Sequence, residues 1–259
     1  MASRTEQKHQ ARAERLAAEE SARKGDRRRA RLMRLGLLLA VAVVVVVVAI
    51  VVSGGSGSSS GSGTGGSDTA ATTALFKGIP QQGVTLGRAS APATLIEFAD
   101  LQCPFCGEYS NTALPTVVKN YVRTGKLRYQ LEVRSFLGPD SVKAAGAAAV
   151  AAKENRLYQF ADLFYRRQQQ ENTGYVTSSF LRGIATGAGV DPAKALAAAA
   201  DPSGQPLVAG AEKLASDYGS NSTPAFYMRL KGGRLVPVNP QALDGKSMSA
   251  AIDSALAGS

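Results

Sequence analysis

The stretch Leu95-Ile96-Glu97-Phe98-Ala99-Asp100-Leu101-Gln102-Cys103-Pro104-Phe105-Cys106 decides how this 259-residue chain is read. Its first six residues read as an apolar strand, and the segment after it, Gly107 to Val122, reads as a helix. Cys103 and Cys106 are the only cysteines in the sequence. A Cys-X-X-Cys pair between a strand and a helix, with no further soft ligand, is a dithiol/disulfide switch. A structural zinc site needs about four Cys or His ligands. The one histidine, His9, lies in a different region of the chain, so the sequence predicts no metal and no cofactor.

Working outward, Val84-Thr85-Leu86-Gly87 reads as a short edge strand and Ala93–Ala99 as a buried central one. In Leu127–Val133, Tyr129, Leu131 and Val133 alternate with polar residues, the period of a half-buried strand. Pro104 suits the first turn of the following helix, where its missing N–H costs nothing. Pro115 is expected to kink or divide that helix. From Ser141 to about Tyr218 the signal is helical, with Asp191-Pro192 and Asp201-Pro202 as helix starts. Tyr158, Phe160, Phe164 and Tyr165 recur at helical spacing; they read first as core, and second as a groove for a polypeptide. Strand character returns at Ala225–Leu230 and Leu235–Val238 around the turn Gly232-Gly233, and a last helix fits Ser247–Leu256. This order predicts an α/β, thioredoxin-type sheet with a helical block inserted at about 139–218.

The N-terminal quarter is different. Residues 1–34 carry eleven Lys or Arg against five Asp or Glu, and Leu35–Val52 is an uncharged apolar run. Eighteen residues of helix span about 27 Å, close to the roughly 30 Å hydrocarbon core. The long charged segment before the run, and the lack of a clear Ala-X-Ala site after it, favour a retained anchor over a cleaved signal peptide. The basic flank places the N-terminus in the cytoplasm and everything after the run outside it. Much of the net charge of +10 is thus a topology signal with anionic lipid as its partner, and nucleic acid is not the expected partner. Residues 53–74, rich in Gly, Ser and Thr, read as a flexible linker, and 75–259 as the extracytoplasmic domain.

Three segments carry a family resemblance: Gly83-Val84-Thr85-Leu86-Gly87, then Ala91-Pro92-Ala93-Thr94 running into the opening stretch, then Ser222-Thr223-Pro224-Ala225-Phe226. Together they resemble the DsbA-like thiol:disulfide oxidoreductases, in the membrane-anchored thioredoxin-4-type branch, over about residues 76–257. DsbA itself has His where this chain has Phe105, and typical relatives have Gly where it has Ser222.

The helix-start position makes Cys103 the expected exposed nucleophile, because helix-terminal N–H groups favour thiolate there. Cys106, one turn further in, is the expected resolving thiol. Pro104 and Phe105 tune the pair. Phe105 offers no hydrogen bond to a thiolate, which implies a weaker oxidant than DsbA. The resemblance implies that Pro224 is a cis-proline beside the cysteines, that Thr223 presents its backbone to an extended client, and that Glu97 is a buried acid relaying the proton of Cys106. A salt-bridged strand carboxylate is the alternative for Glu97.

The expected function is an oxidase that donates its disulfide to reduced secreted or cell-envelope proteins and is reoxidised by a membrane redox partner. The alternatives are a disulfide isomerase or reductase, or a non-catalytic tethered binding or chaperone module.

Overall fold

Strand β3 (Thr94–Asp100), which carries Glu97, lies in the middle of the sheet and sets the position of everything at its carboxyl end. The computed structural model describes residues 63–202 and 205–258. The basic tail, the apolar run 35–52 and the first part of the linker lie outside the described residues. Among the described residues no helix is long and apolar enough to cross a membrane.

In chain order the elements are α1 (Gly63–Phe76), β1 (Gln81–Gln82), β2 (Thr85–Leu86), β3 (Thr94–Asp100), α2 (Pro104–Thr112), α3 (Leu114–Val117) running into a π-helical turn (Val118–Val122), and β4 (Arg128–Arg134). There follow α4 (Pro139–Lys153), α5 (Leu157–Arg166), α6 (Ser178–Ala188), α7 (Pro192–Ala200) and α8 (Pro206–Asp217). The chain closes with β5 (Ala225–Arg229), β6 (Leu235–Pro237) and α9 (Gly245–Ala257).

The strands form one sheet in the order β1-β2-β4-β3-β5-β6. β3 runs parallel to β4, with Glu97 opposite Leu131, and antiparallel to β5, with Glu97 opposite Phe226. All seven residues of β3 are buried, as expected for a strand covered on both faces. Side chains alternate between those faces. Ile96 and Phe98 pack with Ala215 and Tyr218 at the end of α8, while Leu95 and Ala99 join the larger core with Tyr109, Tyr129 and the helical block. Burying a side chain such as Leu95, Ile96 or Phe98 contributes roughly 1.5–3 kcal/mol. The thioredoxin-type α/β arrangement read from the sequence is thus observed, with its helical block between β4 and β5.

Local chemistry accounts for most boundaries. Thr177, Asp191 and Asp244 cap α6, α7 and α9 by accepting backbone N–H bonds, each cap worth about 1 kcal/mol. Pro115 divides the helix after Cys106: α2 ends at Thr112, and α3 carries Pro115 in its first turn. Gly146 lets α4 approach α7 closely, for a Cβ there would overlap the carbonyl of Ala198.

Three expectations are corrected. Helix α1 starts at Gly63, inside the stretch read as linker. Tertiary contacts hold it: Asp68 pairs with Arg167 at 3.2 Å, the Thr72 hydroxyl donates to the Asp162 carboxylate, and Phe76 packs on Tyr158 with ring centroids 5.9 Å apart. Asp201 closes α7 through its N–H to Ala197 at 3.1 Å, Pro202 lies in a 3-10 turn, and helix α8 starts only at Pro206. The edge strand is a two-strand hairpin, β1 with β2, rather than Val84–Gly87 alone. Tyr158, Phe160, Phe164 and Tyr165 are all buried, so they are core and line no groove.

Candidate active site

Four elements converge at the carboxyl end of β3. Asp100, the last residue of β3, begins the turn into α2. Its carboxylate is fully buried and accepts N–H bonds from Gln102 (2.8 Å), Phe136 (3.1 Å) and Leu137 (3.2 Å), and the hydroxyl of Ser141 (2.6 Å). This ties the turn to the loop after β4. The N–H of Cys103 donates to the Asp100 carbonyl at 3.0 Å, and the Cys103 carbonyl accepts from Gly107 at 3.1 Å. Cys103 is therefore the N-cap of α2, with Pro104 in the first turn.

Both cysteines are free thiols. Cys103 is only 4 % exposed and Cys106 fully buried. The helix-start position predicts an open Cys103; it lies instead against the loop before β5, where its thiol donates to the Thr223 carbonyl at 3.3 Å. Phe105 is the open member of the motif, 60 % exposed. The Thr223–Pro224 peptide bond is cis, and the Cys103–Thr223 hydrogen bond sets this loop beside the cysteine pair.

The two sulfurs have opposite electrostatic surroundings. The Cys103 thiol is lowered from 9.0 to about 6, first by a hydrogen bond from Cys106, then against burial by Thr223 and by the N–H groups of Cys106 and Phe105. Its thiol donates to the Thr223 carbonyl, while the Thr223 side chain favours the thiolate. Burial, the bond to Cys103 and the charge of Glu97 push Cys106 well above the ordinary thiol value. One sulfur is thus poised to ionise near neutrality while the other holds its proton.

Glu97 is 3 % exposed and sits on the core face of β3. Burial pushes its carboxyl up to about 8, against a lowering hydrogen bond from Tyr129 and with a raising contribution from Cys103. The Tyr129 hydroxyl donates to Oε2, while Oε1 and the nearby Tyr109 hydroxyl are buried with no hydrogen-bond partner among the described residues. Glu97 makes none of the ion pairs found among the described residues.

Several contributors were not picked out from the sequence. Tyr129 shows in the sequence only as a strand former; its pairing with Glu97 follows from the β3–β4 register, which a single sequence does not give. Gln168, just beyond α5, donates from Nε2 to the carbonyls of Leu101 (2.8 Å) and Cys103 (3.0 Å). Phe136 is a second exposed aromatic at this end, with the Arg134 guanidinium 4.5 Å from its ring centroid. Arg134 also binds Glu212 at 2.8 Å and the Ser220 carbonyl at 3.2 Å, securing the approach to Thr223. No cluster of three or more metal-ligating side chains occurs among the described residues.

A parallel β3–β4 core, a helix capped by the first cysteine of a Cys-X-X-Cys pair and a cis-proline loop beside it together define a thioredoxin-fold protein with a dithiol site. Residues 80–253 match the thioredoxin family Thioredoxin_4, and the chain belongs to that family. Among curated proteins it is 29 % identical over 102 residues to the probable disulfide bond formation protein D of Bacillus cereus, covering 39 % of this chain and 47 % of that one. It is 27 % identical over 122 residues to disulfide bond formation protein D of Bacillus subtilis, covering 46 % and 53 %. The chain thus spans about half the length of the curated relatives it matches. Among solved structures, oxidised BdbD from Bacillus subtilis superposes with a TM-score of 0.59 at 21 % identity, over 70 % of this chain and 98 % of that one. This last likeness speaks for the fold.

Proposed function

We propose that the protein is a membrane-tethered thiol–disulfide oxidoreductase that introduces disulfides into reduced secreted or cell-envelope proteins. The observation that carries the reading is the split between the two sulfurs: Cys103 lowered to about 6 at a helix N-terminus, Cys106 buried and raised. A thiolate stabilised in the reduced form makes the disulfide form a better oxidant and Cys103 a better leaving group.

In the oxidised protein a client thiolate attacks Sγ of Cys103. A client–Cys103 disulfide forms, the Cys103–Cys106 bond breaks, and the electron pair leaves on Cys106. Glu97, protonated near neutrality, supplies a proton to that buried thiolate, the relay role. A second client thiolate then attacks the client sulfur and releases Cys103 as thiolate. The client loses two electrons and the pair gains them; a membrane partner with a disulfide of its own takes them back. Thr223 offers backbone to the extended client beside Pro224. A groove lined by Ser222, Pro224, Ala225, Phe226, Pro237 and Leu243 continues from it. Pro104 and Phe105 set the potential and the outer surface of the pair.

The relatives named for disulfide bond formation support the direction of transfer. The apolar run 35–52 behind the basic tail 1–34 supports a single-pass anchor with the cytoplasm on the basic side, the 53–74 segment leading to an extracytoplasmic domain at 75–259. The test is trapping. Cys106→Ala is expected to accumulate disulfides between Cys103 and client proteins, and Cys103→Ala to accumulate few. Equal trapping by both, or trapping by Cys103→Ala alone, would reverse the roles.

A further inference from the structure

The last turn of α5 and the segment that follows it lie along the redox turn and hold its residues in succession. The Tyr165 hydroxyl donates to the Asp100 carbonyl at 3.3 Å. Gln168 Nε2 donates to the carbonyls of Leu101 at 2.8 Å and Cys103 at 3.0 Å. The Asn172 N–H donates to Oε1 of Gln102 at 2.9 Å. Positions 165, 168 and 172 thus bind residues 100, 101, 102 and 103 without a gap. The far side of the strap is fixed too, since Arg167 pairs with Asp68 of α1.

Gln168 is the centre of this contact, and the residue opposite it is a glycine. A Cβ on Gly107, in the first turn of α2, would overlap Oε1 of Gln168. Gly107 lies inside a helix, where glycine is unfavourable by about 1 kcal/mol relative to alanine. An added Cβ would push aside the end of the Gln168 side chain. The amide meets backbone at both ends: its N–H groups bind the carbonyls that precede and begin α2, and its oxygen lies over the helix's first turn.

We propose that Gln168 is a positioning residue for thiol–disulfide exchange: by clamping the carbonyls of Leu101 and Cys103 it fixes the N-cap turn, so that Sγ of Cys103 faces the N–H groups of Phe105 and Cys106. The clamp joins the inserted helical block to the redox turn. This inference rests on the oxidoreductase reading for its functional meaning, and on geometry alone for its effect on Cys103.

The experiment measures the rate of Cys103 alkylation by iodoacetamide against pH in the purified reduced protein, with the modified residue identified by mass spectrometry. The variants are Gln168→Leu, Gln168→Glu, Gly107→Ala and the Gly107→Ala/Gln168→Leu pair. Gln168→Leu removes both donors, and the midpoint of the profile is expected to rise by about half a pH unit or more, roughly a threefold loss of thiolate below the midpoint. Gln168→Glu places a carboxylate there, and a rise of at least about one pH unit, a tenfold loss, is expected. Gly107→Ala displaces the amide and is expected to reproduce the shift of Gln168→Leu, and the pair to show no further shift, because both remove one contact. In the Gln168→Leu background the alanine at 107 is also expected to raise the melting temperature, which it lowers in the native background.

A structural role alone would lower melting temperatures and leave the midpoint in place. Unshifted midpoints in folded variants, or additive shifts in the pair, would overturn the proposal. If Gln168→Leu does not fold, the midpoints of Gly107→Ala and Gln168→Glu decide the matter by the same criterion. A native protein that has the low midpoint but fails to oxidise a reduced peptide would refute the oxidase reading and leave the clamp standing.

Discussion

Replacing Glu97 by glutamine isolates the energetic cost of the buried acid. The Glu97 carboxyl moves from 4.5 to about 8 on folding, with burial as the first cause. A carboxyl with a raised folded pKa binds more protons folded than unfolded. Its contribution therefore makes stability fall as pH rises from about 4.5 to about 8. A pKa difference of one between folded and unfolded chains corresponds to about 1.4 kcal/mol, so the gap sets a ceiling of about 5 kcal/mol. Relaxation around a buried charge reduces such ceilings, and a change of about 2–3 kcal/mol between about pH 5 and about pH 8 is the expected scale. Glutamine has nearly the same shape and no such slope. Cys103, lowered in the fold, contributes the opposite slope between its folded and unfolded values and is coupled to Glu97, so the comparison is repeated with Cys103→Ala in both proteins to separate the two groups. The assay is urea unfolding of the reduced native and Glu97→Gln proteins across that pH range. The variant should gain on the native protein steadily as pH rises. A stability difference independent of pH would show that Glu97 titrates normally, and would remove the basis for a proton relay.

Two further outcomes are expected. Phe105→His places a donor beside Cys103, and should lower the Cys103 pKa and raise the reduction potential by tens of millivolts, where about 30 mV is a tenfold change in equilibrium; equilibration with glutathione measures this, and an unchanged potential would leave the helix end and Glu97 as the tuning groups. A membrane-impermeant protease added to intact cells should reach the chain beyond Ser67, and protection of that part would refute the proposed orientation.

The site was legible in the sequence where it depends on short-range order. Cys103 at a helix start, Cys106 one turn in and Pro104 in the first turn follow from the strand–motif–helix succession, and β3 is visible as a short apolar run. What was hidden depends on register or on distant packing. Tyr129 meets Glu97 only because β3 and β4 align Glu97 with Leu131. Gln168 reaches Cys103 across 65 positions of sequence. The Thr223 carbonyl that accepts from the Cys103 thiol lies 120 residues away. Helix α1 is invisible in the sequence because Gly, Ser, Thr and Ala around Asp68 show no amphipathic pattern; its stability comes from α5 and not from propensity.

The most direct test of the central claim is to mix the purified oxidised protein with a reduced peptide containing two cysteines and follow both partners by mass spectrometry. The account predicts that the peptide loses two hydrogens as Cys103 and Cys106 gain them, one for one, through a peptide–Cys103 intermediate. A peptide that stays reduced, while the Cys103–Cys106 bond remains intact, would contradict it.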